Sequence, residues 1–319
     1  MPMRLALCLT ALLLLAGCAA PRLVLTEHPL AGRVWDVAQG RFISPLEAED
    51  RVAAADIALL GETHDNPAHH QVQAYLLRKL VAGGKRPALA MEQFDTEWQG
   101  AIDAANSPGV PSTAVAQAGH MASGWEWPLY KPLVVVAVKE RLPIVAANLS
   151  RPRARGIAAG GMDALGPGEV QRLALDQEWS AVQNATLRRM LVEGHCGEDG
   201  PMIDKLIPVQ RSKDATMADR ILAQPGGAVA TIGRSHARAD VGVPLYLKER
   251  APERRLISVG LVEVEPDLLD PARYPDAAPG IHDLIWFTPR SRRGDPCASF
   301  HAAAGSSSPG RNGVSSATR

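Results

Sequence analysis

The stretch Asp56-Ile57-Ala58-Leu59-Leu60-Gly61-Glu62-Thr63-His64-Asp65-Asn66 decides the fold of this chain, because an apolar run ends abruptly in a cluster of polar residues. A helical pattern follows from Pro67 onward, with apolar residues three and four positions apart. A second apolar run, 228–232, ends in the same Gly-x-x-His spacing at Gly233 and His236. We expect two buried strands whose ends carry the polar residues of one site.

Short apolar runs recur along the chain and alternate with helical patterns. None shows the polar residue at every second position that marks a sheet with one face in water. The sequence therefore predicts an α/β fold, with a mainly parallel sheet that is flanked by helices. Further segments are predicted as a hairpin over 34–43, strands over 87–91, 143–147, 255–264 and 281–287, and a mainly helical insertion over about 152–225.

The N-terminal residues predict the cellular compartment of the protein. Arg4 precedes an apolar stretch, Leu5 to Ala16, which is too short to span a bilayer as a helix. It ends in Leu15-Ala16-Gly17-Cys18, the pattern of a bacterial lipobox, whose cysteine is acylated and becomes the new N-terminus. We predict a signal peptide over 1–17 and membrane lipid attached through Cys18; the alternative is an ordinary signal peptide with an unrelated cysteine. Ala19 favours the outer membrane, with the protein facing the periplasm.

The remaining chain is predicted to hold a tether over 18–31, a single α/β domain over 32–298, and a disordered tail over 299–319. Lysine plus arginine and aspartate plus glutamate both number 34, so the net charge offers no basic face for nucleic acid. Cys196 and Cys297 remain after processing. In an oxidising compartment they either form a disulfide or stay as buried free thiols.

Polar residues at four predicted strand ends form the candidate site. Glu62 and His64, Glu92, Asn148 and His236 follow different strands, and a parallel sheet brings such residues to one edge. Two histidines and two carboxylates suit a divalent transition metal that keeps a position open for water. Such a metal would supply hydroxide, with one glutamate as general base, in a metal-dependent hydrolase. The alternative is a buried hydrogen-bonded network that closes the end of the sheet.

Three further residues lie close to these strand ends in the sequence. Arg151 follows the strand that ends at Asn148, and it either pairs with a carboxylate or holds an anionic ligand group. His69 and His70 point about 100° apart on a helix, so at most one of them faces the site. We favour His69 as a supporting residue. His120, in a predicted loop, is assigned to solvent.

An aromatic turn, Trp125-Glu126-Trp127-Pro128-Leu129-Tyr130-Lys131-Pro132, has two interpretations. It either packs in the core at the start of a helix or contributes a phenolate to ferric iron through Tyr130, since tyrosine is among the ligands of haem proteins. In the second interpretation, Lys131 lies beside Tyr130 and contacts a haem propionate.

Several motifs together resemble the ChaN-like family of haem-binding lipoproteins, over about 34–298 and including the lipobox. They are Gly61-Glu62-Thr63-His64-Asp65-Asn66-x-x-His69-His70-x-x-Gln73, Met91-Glu92-Gln93-Phe94, Trp125-x-Trp127-Pro128-x-Tyr130-x-Pro132, His195-Cys196-Gly197, Gln210-x-x-x-Asp214-x-x-Met217-Ala218 and Gly233-x-x-His236. The paired Gly-x-x-His units also resemble the wider Tiki and TraB superfamily, whose Tiki members look like metal-dependent proteases.

The resemblance implies a lipid-anchored protein that binds haem in iron uptake, as a homodimer and with an outer-membrane receptor as partner. It implies that a tyrosine holds the iron: Tyr130 matches by position, and Tyr75, Tyr246 and Tyr274 are the alternatives. Lys131 and His69 are the other implied haem contacts. The catalytic set of the superfamily maps onto Glu62, His64, Glu92 and His236, which does not by itself make this chain an enzyme.

Overall fold

The computed structural model describes residues 23–121, 125–295 and 297–298. The described strands, β1 to β10, are Leu23–Val24, Val34–Asp36, Arg41–Ile43, Ile57–Glu62, Ala88–Asp95, Ile144–Asn148, Ala228–Gly233, Leu256–Glu263, Leu284–Thr288 and Arg290–Ser291. The described α-helices, α1 to α10, are Pro45–Ala54, Pro67–Ala82, Gln99–Ala105, Ser112–Ala118, Trp127–Glu140, Arg151–Gly160, Pro167–Arg172, Ala181–Gly194, Pro201–Leu222 and Val243–Arg250.

Eight of these strands form one sheet in the order β3-β2-β9-β8-β4-β7-β5-β6, and β1 pairs with β10 in a separate two-stranded ladder. Every pairing from β9 to β6 is parallel, whereas the hairpin of β2 and β3 joins the edge antiparallel. The predicted α/β class with a mainly parallel sheet is therefore confirmed. The strands β4, β7, β5 and β6 are neighbours, so their carboxyl ends lie side by side.

Both faces of the sheet are covered, which explains why its strands carry no polar alternation. In β4, Ala58 and Leu60 pack into the hydrophobic cluster formed with α2 and α5. Their neighbours Ile57 and Leu59 point to the opposite face, where the cluster includes α9 and α10. Successive side chains of a strand alternate between faces, so a strand that is buried on both faces is apolar throughout.

The segment predicted as a helical insertion contains α6 to α9, between β6 and β7. The last helix of this segment, α9, packs against the sheet. Met217 and Ile221 of α9 are fully buried in the same cluster as Ile57 and Leu59. The insertion thus supplies one of the helices that cover the sheet, and this fixes the position of Asp214 on the same helix.

The predicted tether does not extend over 23–31. Leu23 and Val24 pair with Ser291 and Arg290, and Leu30 is only 2% exposed in a cluster with Phe287. Burial of these apolar side chains stabilises the folded chain, so residues 23–31 belong to the domain. The domain therefore begins earlier than predicted. The predicted signal peptide, Cys18 and the whole of the predicted tail, 299–319, lie outside the described residues. Within 23–121, 125–295 and 297–298, no helix is long and apolar enough to cross a membrane.

Candidate functional site

The two Gly-x-x-His units lie on adjacent strands and hold each other in place. In the parallel pair of β4 and β7, Gly61 lies beside Ile232 and Glu62 beside Gly233. A Cβ atom on Gly61 would come within 2.7 Å of the Ala237 side chain. The second unit therefore packs directly onto the first, at a distance that only glycine permits.

Glu62 is the centre of the first half of the site. Its side chain is buried, and Oε1 accepts hydrogen bonds from Tyr130 Oη at 2.9 Å, His64 Nδ1 at 3.0 Å and Gln93 Nε2 at 3.2 Å. His70 Nδ1 lies 2.9 Å from the other oxygen, Oε2. Burial alone would raise the pKa of this carboxyl, but His70 and His64 outweigh it and lower the pKa to about 2. Glu62 is therefore a permanent buried anion.

His70 supplies the matching positive charge. Nε2 contacts the carbonyl oxygen of His64 at 2.9 Å, while Nδ1 faces Gln73 Oε1 at 3.1 Å as well as Glu62. All of these partners are acceptors, so both ring nitrogens must carry a proton. Burial lowers the pKa of His70, yet the charge of Glu62 outweighs it and leaves the pKa raised. His70 and Glu62 thus form a buried ion pair.

The other half of the site is built on Glu92, in the second half of β5. Its Oε2 accepts the backbone N–H of Gly233 at 2.7 Å, and His236 Nε2 lies 3.4 Å from Oε1. The opposite nitrogen of the ring, Nδ1, is 2.5 Å from Oδ1 of Asp214 on α9. Burial lowers the pKa of His236, but the carboxylates of Glu92 and Asp214 outweigh it and raise the pKa to about 10. His236 is therefore a second buried cation held between two carboxyl groups.

These contacts favour the buried network over a metal centre. The structure does bring Glu62, His64, Glu92 and His236 together, as their strand ends predict. Within the described ranges, however, no three His, Cys, Asp or Glu side chains are placed to hold one ion. The reason is that each glutamate is already paired with a histidine, in surroundings that leave both glutamates and His236 buried. The divalent metal predicted from residue types does not fit this arrangement.

His69, predicted as a supporting residue, contacts the backbone of the first Gly-x-x-His unit and not the Glu62 carboxylate. Its Nδ1 accepts the backbone N–H of Thr63 at 2.8 Å, and Nε2 contacts Thr288 Oγ1 at 2.8 Å, away from Glu62. Burial lowers the pKa of His69 well below its usual value, so the ring is neutral. The helix start at Asn66, whose side chain caps the N–H of Ala68 at 2.8 Å, turns the next histidine toward Glu62 instead.

Tyr130 lies in the interior, and its position speaks against the predicted role as ligand of haem iron. The residue is fully buried and its hydroxyl donates to Glu62. Burial and the charge of Glu62 both raise the pKa of this phenol, which opposes the phenolate that iron requires. A planar macrocycle cannot reach the oxygen without displacing the core. Core packing at a helix start, the alternative interpretation, describes Tyr130 better.

A cleft opens above the network and is here called the edge cleft. His64 forms part of its wall, with 45% of its side chain exposed, and Trp125 stands edge-on to the His64 ring at 4.6 Å between centroids. The edge cleft has a volume of about 380 Å³ and is lined by His64, Gln93, Asp95, Gly119, His120, Trp125, Asn148, Leu149, Arg151, Ala154 and Lys213. His120, which we assigned to solvent, stacks on Trp98 beside this opening.

A second concave surface lies along α2 and α5 and is here called the basic groove. It has a volume of about 700 Å³ and is lined by Arg78, Val81, Ala82, Arg86, Pro128, Lys131, Pro132, Val135, Val136, Lys139 and Glu140. Lys131, Val135 and Lys139 are spaced by four residues and occupy one exposed face of α5. Tyr75, Tyr246 and Tyr274 line neither the basic groove nor the edge cleft.

Two groups of residues were not identified as site residues from the sequence. Asp214 and Gln210, which contact His236, are four positions apart on α9, and this spacing was part of the family resemblance. Gln93 follows Glu92 directly and donates to Glu62. Away from the site, Cys196 and Cys297 form a disulfide, with 5.5 Å between Cα atoms.

Comparison with known proteins identifies the family. The family model described as "Haem-binding uptake, Tiki superfamily, ChaN" matches residues 49–247, which is more than half of the chain. The chain belongs to this family. Among solved structures, the chain is similar to one described as "Cofacial heme binding to ChaN of Campylobacter jejuni", with 22% identity and a TM-score of 0.64. The match covers 79% of this chain and 95% of the other, and it supports the fold.

Two further solved structures have lower similarity. The type III effector HopBA1 is 13% identical with a TM-score of 0.39, over 75% of this chain and 92% of that one. A Bacillus cereus protein is 12% identical with a TM-score of 0.36, over 77% of this chain and 73% of that one. The curated proteins include no match. Membership of a haem-binding uptake family is therefore the functional information that the comparisons provide.

Proposed function

We propose that this protein binds haem in the basic groove and acts in haem uptake as a lipid-anchored protein that faces the periplasm. The observation that carries the proposal is the amphipathic character of the groove in a chain of this family. Haem is a flat apolar ring with two carboxylates along one edge. A suitable surface therefore needs an apolar floor with cations at its margin.

The basic groove has both features. Pro128, Pro132 and Val135 form part of an apolar floor, and Val135 is 40% exposed. Arg86 pairs with the one lining carboxylate, Glu140, at 3.3 Å. Three further cations at the margin have no carboxylate of the described residues within ion-pair distance: Arg78, Lys131 and Lys139. These cations are opposite in charge to the two propionates, and Lys131 is the residue that the sequence assigned to this contact.

The lining of the basic groove contains no histidine, tyrosine, cysteine or methionine among the described residues. The groove therefore accounts for the porphyrin ring and its propionates, but the ligand of the iron has to come from elsewhere. A haem that lies flat on the groove leaves its other face open to a second copy of the chain. We propose a haem-linked homodimer on this basis, and cofacial haem binding is described for the Campylobacter jejuni protein.

Haemin titration of full-length protein in mild detergent, followed by the Soret band, tests the proposal. Val135→Asp places a carboxylate on the floor of the groove and should weaken haemin binding at least about tenfold, through lost apolar contact and repulsion of the propionates. The matched control is Val182→Asp on α8, where the valine is 74% exposed and lies outside the groove. Equal haemin affinity in the two variants would exclude the groove.

A charge reversal separates recognition of the propionates from contact with the ring. Lys131→Glu should weaken haemin binding, whereas Lys248→Glu, an exposed lysine on α10, should leave it unchanged. Sedimentation of the wild-type protein with and without haemin tests the dimer: a sedimentation coefficient that does not change with haemin would contradict it. Membrane attachment is tested by Cys18→Ser, which should move the protein out of the membrane fraction. The outer-membrane receptor stays a prediction.

A further inference from the structure

The hairpin of β2 and β3 has one face whose apolar residues pack against none of the described α-helices. On the first face, Val34 and Ile43 belong to the hydrophobic cluster that includes α1, α2 and α5. On the second face, Trp35 and Phe42 pack against a different cluster, and no residue of that cluster lies on a described α-helix. Trp35 and Phe42 are cross-strand partners, so their rings share one side of the hairpin. Both side chains are partly exposed.

This surface, defined by Arg33, Trp35 and Phe42, is here called the hairpin face, and it combines aromatic rings with a cation. The rings of Trp35 and Phe42 meet edge to face, with 5.0 Å between their centroids. The guanidinium carbon of Arg33 lies 3.4 Å from the centre of the Phe42 ring. Arg33 is exposed and forms no ion pair with a carboxylate of the described residues. Its guanidinium is therefore held on the ring with N–H groups free for an anionic partner.

Apolar side chains and carboxylates both occur in the loops that pack against the same cluster as the hairpin face. Leu25 and Leu268 are partly exposed and pack against this cluster. Glu27 and Asp267, which are close to them in sequence, are exposed. The region is therefore not strongly basic. A partner of the hairpin face has to be recognised through the aromatic rings and the single arginine rather than through net charge.

The chain enters the domain close to the hairpin face. Strand β1 pairs with β10, just beyond the end of β9, and β9 is the strand that pairs with β2. Trp35 lies beside Ile285 of β9, five residues before Arg290, which is at most ~17 Å along the chain at 3.3 Å per residue. Cys18 precedes Leu23 by five residues, and an extended chain of that length spans at most ~18 Å. A membrane anchor at Cys18 therefore keeps the hairpin face near the bilayer.

We propose that the hairpin face lies on the headgroup region of a phospholipid bilayer, with the Trp35 and Phe42 rings inserted and Arg33 paired with a lipid phosphate. This inference depends on the proposed acylation of Cys18, which holds the chain at the membrane. Aromatic side chains, Trp above all, favour the boundary between headgroups and acyl chains. A guanidinium pairs well with a phosphate. The lipid anchor alone leaves the domain free to rotate, whereas the hairpin face gives it one orientation.

This orientation leaves the basic groove free of lipid. The helices α2 and α5, which line the groove, cover the face of the sheet opposite to Trp35 and Phe42. The bilayer and haem therefore bind to opposite sides of the domain and do not compete for the same surface.

Brominated phospholipid, which quenches tryptophan fluorescence on contact, tests the hairpin face. Protein purified with its lipid from membranes, without haemin, is reconstituted into vesicles of phosphatidylethanolamine and phosphatidylglycerol, and flotation measures the bound fraction. We expect brominated lipid to quench the fluorescence of the wild type, and Trp35→Phe to lose most of this quenching. Trp98→Phe is the matched control, because Trp98 packs against the cluster of the opposite face and stacks on His120. It should be quenched as the wild type is.

The two readouts separate the hairpin face from the anchor. If the protein floats with the vesicles but Trp35→Phe is quenched as strongly as Trp98→Phe, the hairpin face does not touch lipid and the anchor still stands. If the protein does not float, the anchor is wrong, and this inference falls with it. Sedimentation in detergent examines a second copy of the chain as the occupant. A haemin-free wild type that is dimeric, together with a monomeric Phe42→Asp variant, would assign the hairpin face to that copy and overturn the proposal.

Discussion

Tyr130→Phe separates two roles of the same hydroxyl group, a structural role and a role as iron ligand. The hydroxyl donates to Glu62 Oε1 at 2.9 Å and is fully buried. The substitution removes one oxygen and keeps the ring, so it leaves almost no cavity. A hydrogen bond to a charged group contributes about 1.5–3 kcal/mol to stability. Glu62 keeps its contacts with His64, His70 and Gln93, and we therefore expect the free energy of unfolding to fall by about 1.5–3 kcal/mol.

The measurement is urea unfolding at pH 7, followed by circular dichroism, together with haemin titration of the same variant. Tyr75→Phe is the matched control, because the Tyr75 hydroxyl bonds Glu49 at a more accessible position on α2. Its loss should lower the free energy of unfolding by less than about 1 kcal/mol. We expect both variants to bind haemin as the wild type does.

Two results would refute this reasoning. If Tyr130→Phe is as stable as Tyr75→Phe, the hydroxyl does not stabilise the buried charge of Glu62. If Tyr130→Phe unfolds as the wild type does but no longer binds haemin, the phenol is an iron ligand and the fold has to open to expose it. The combination with Glu62→Gln extends the test: the effects of the two substitutions should not be additive, since they remove the same hydrogen bond.

Three further predictions concern stability. Gly61→Ala should destabilise the protein by about 1–3 kcal/mol in urea unfolding, because the new Cβ would lie 2.7 Å from that of Ala237; a neutral substitution would show that the two strands do not pack so closely. The pKa of His236, about 10, lies above its ordinary value of 6.5, so its charge stabilises the folded state fully below pH 6.5, and this contribution is lost as the pH rises toward 10. The unfolding temperature should fall across that window, and a constant value would contradict the buried cation. Reduction of Cys196–Cys297, which spans 101 residues, should cost about 2–5 kcal/mol, with the double serine variant insensitive to reductant.

The meeting of the strand ends at one edge of the sheet can be predicted from the sequence, because it depends on the hydrophobic pattern of the strands. Five-residue apolar runs without alternation require burial on both faces, and this favours parallel strands joined by helices. Glu62, Glu92 and His236 follow three such runs within one to four positions, so their meeting at one edge needs no knowledge of side-chain rotamers. The pairing of β4 with β7, about 170 residues apart in sequence, results from strand order, which the matching Gly-x-x-His spacing indicates only indirectly.

The partners of these residues could not be predicted in the same way. Asp214 lies in the middle of a helix and reads as a surface residue, until the packing of α9 on the sheet buries it beside His236. The choice between His69 and His70 depends on a rotation of about 100° per residue, which is fixed by the cap at Asn66. Likewise, residue types gave His64, His236 and two glutamates the composition of a metal site. The distances show that each carboxylate already has a histidine partner.

The charges of the network explain why ligand recognition falls to its surroundings. Glu62 is paired with His70, and Glu92 and Asp214 share His236, so each carboxylate of the described network already has a histidine partner. Each of these pairs is expensive to break, since removal of one partner leaves a charge in the interior. The two Gly-x-x-His units therefore fix each other and rigidify the end of the sheet. Outside this network, the three cations of the basic groove have no carboxylate partner among the described residues. The rigid network of paired charges therefore positions the surfaces around it.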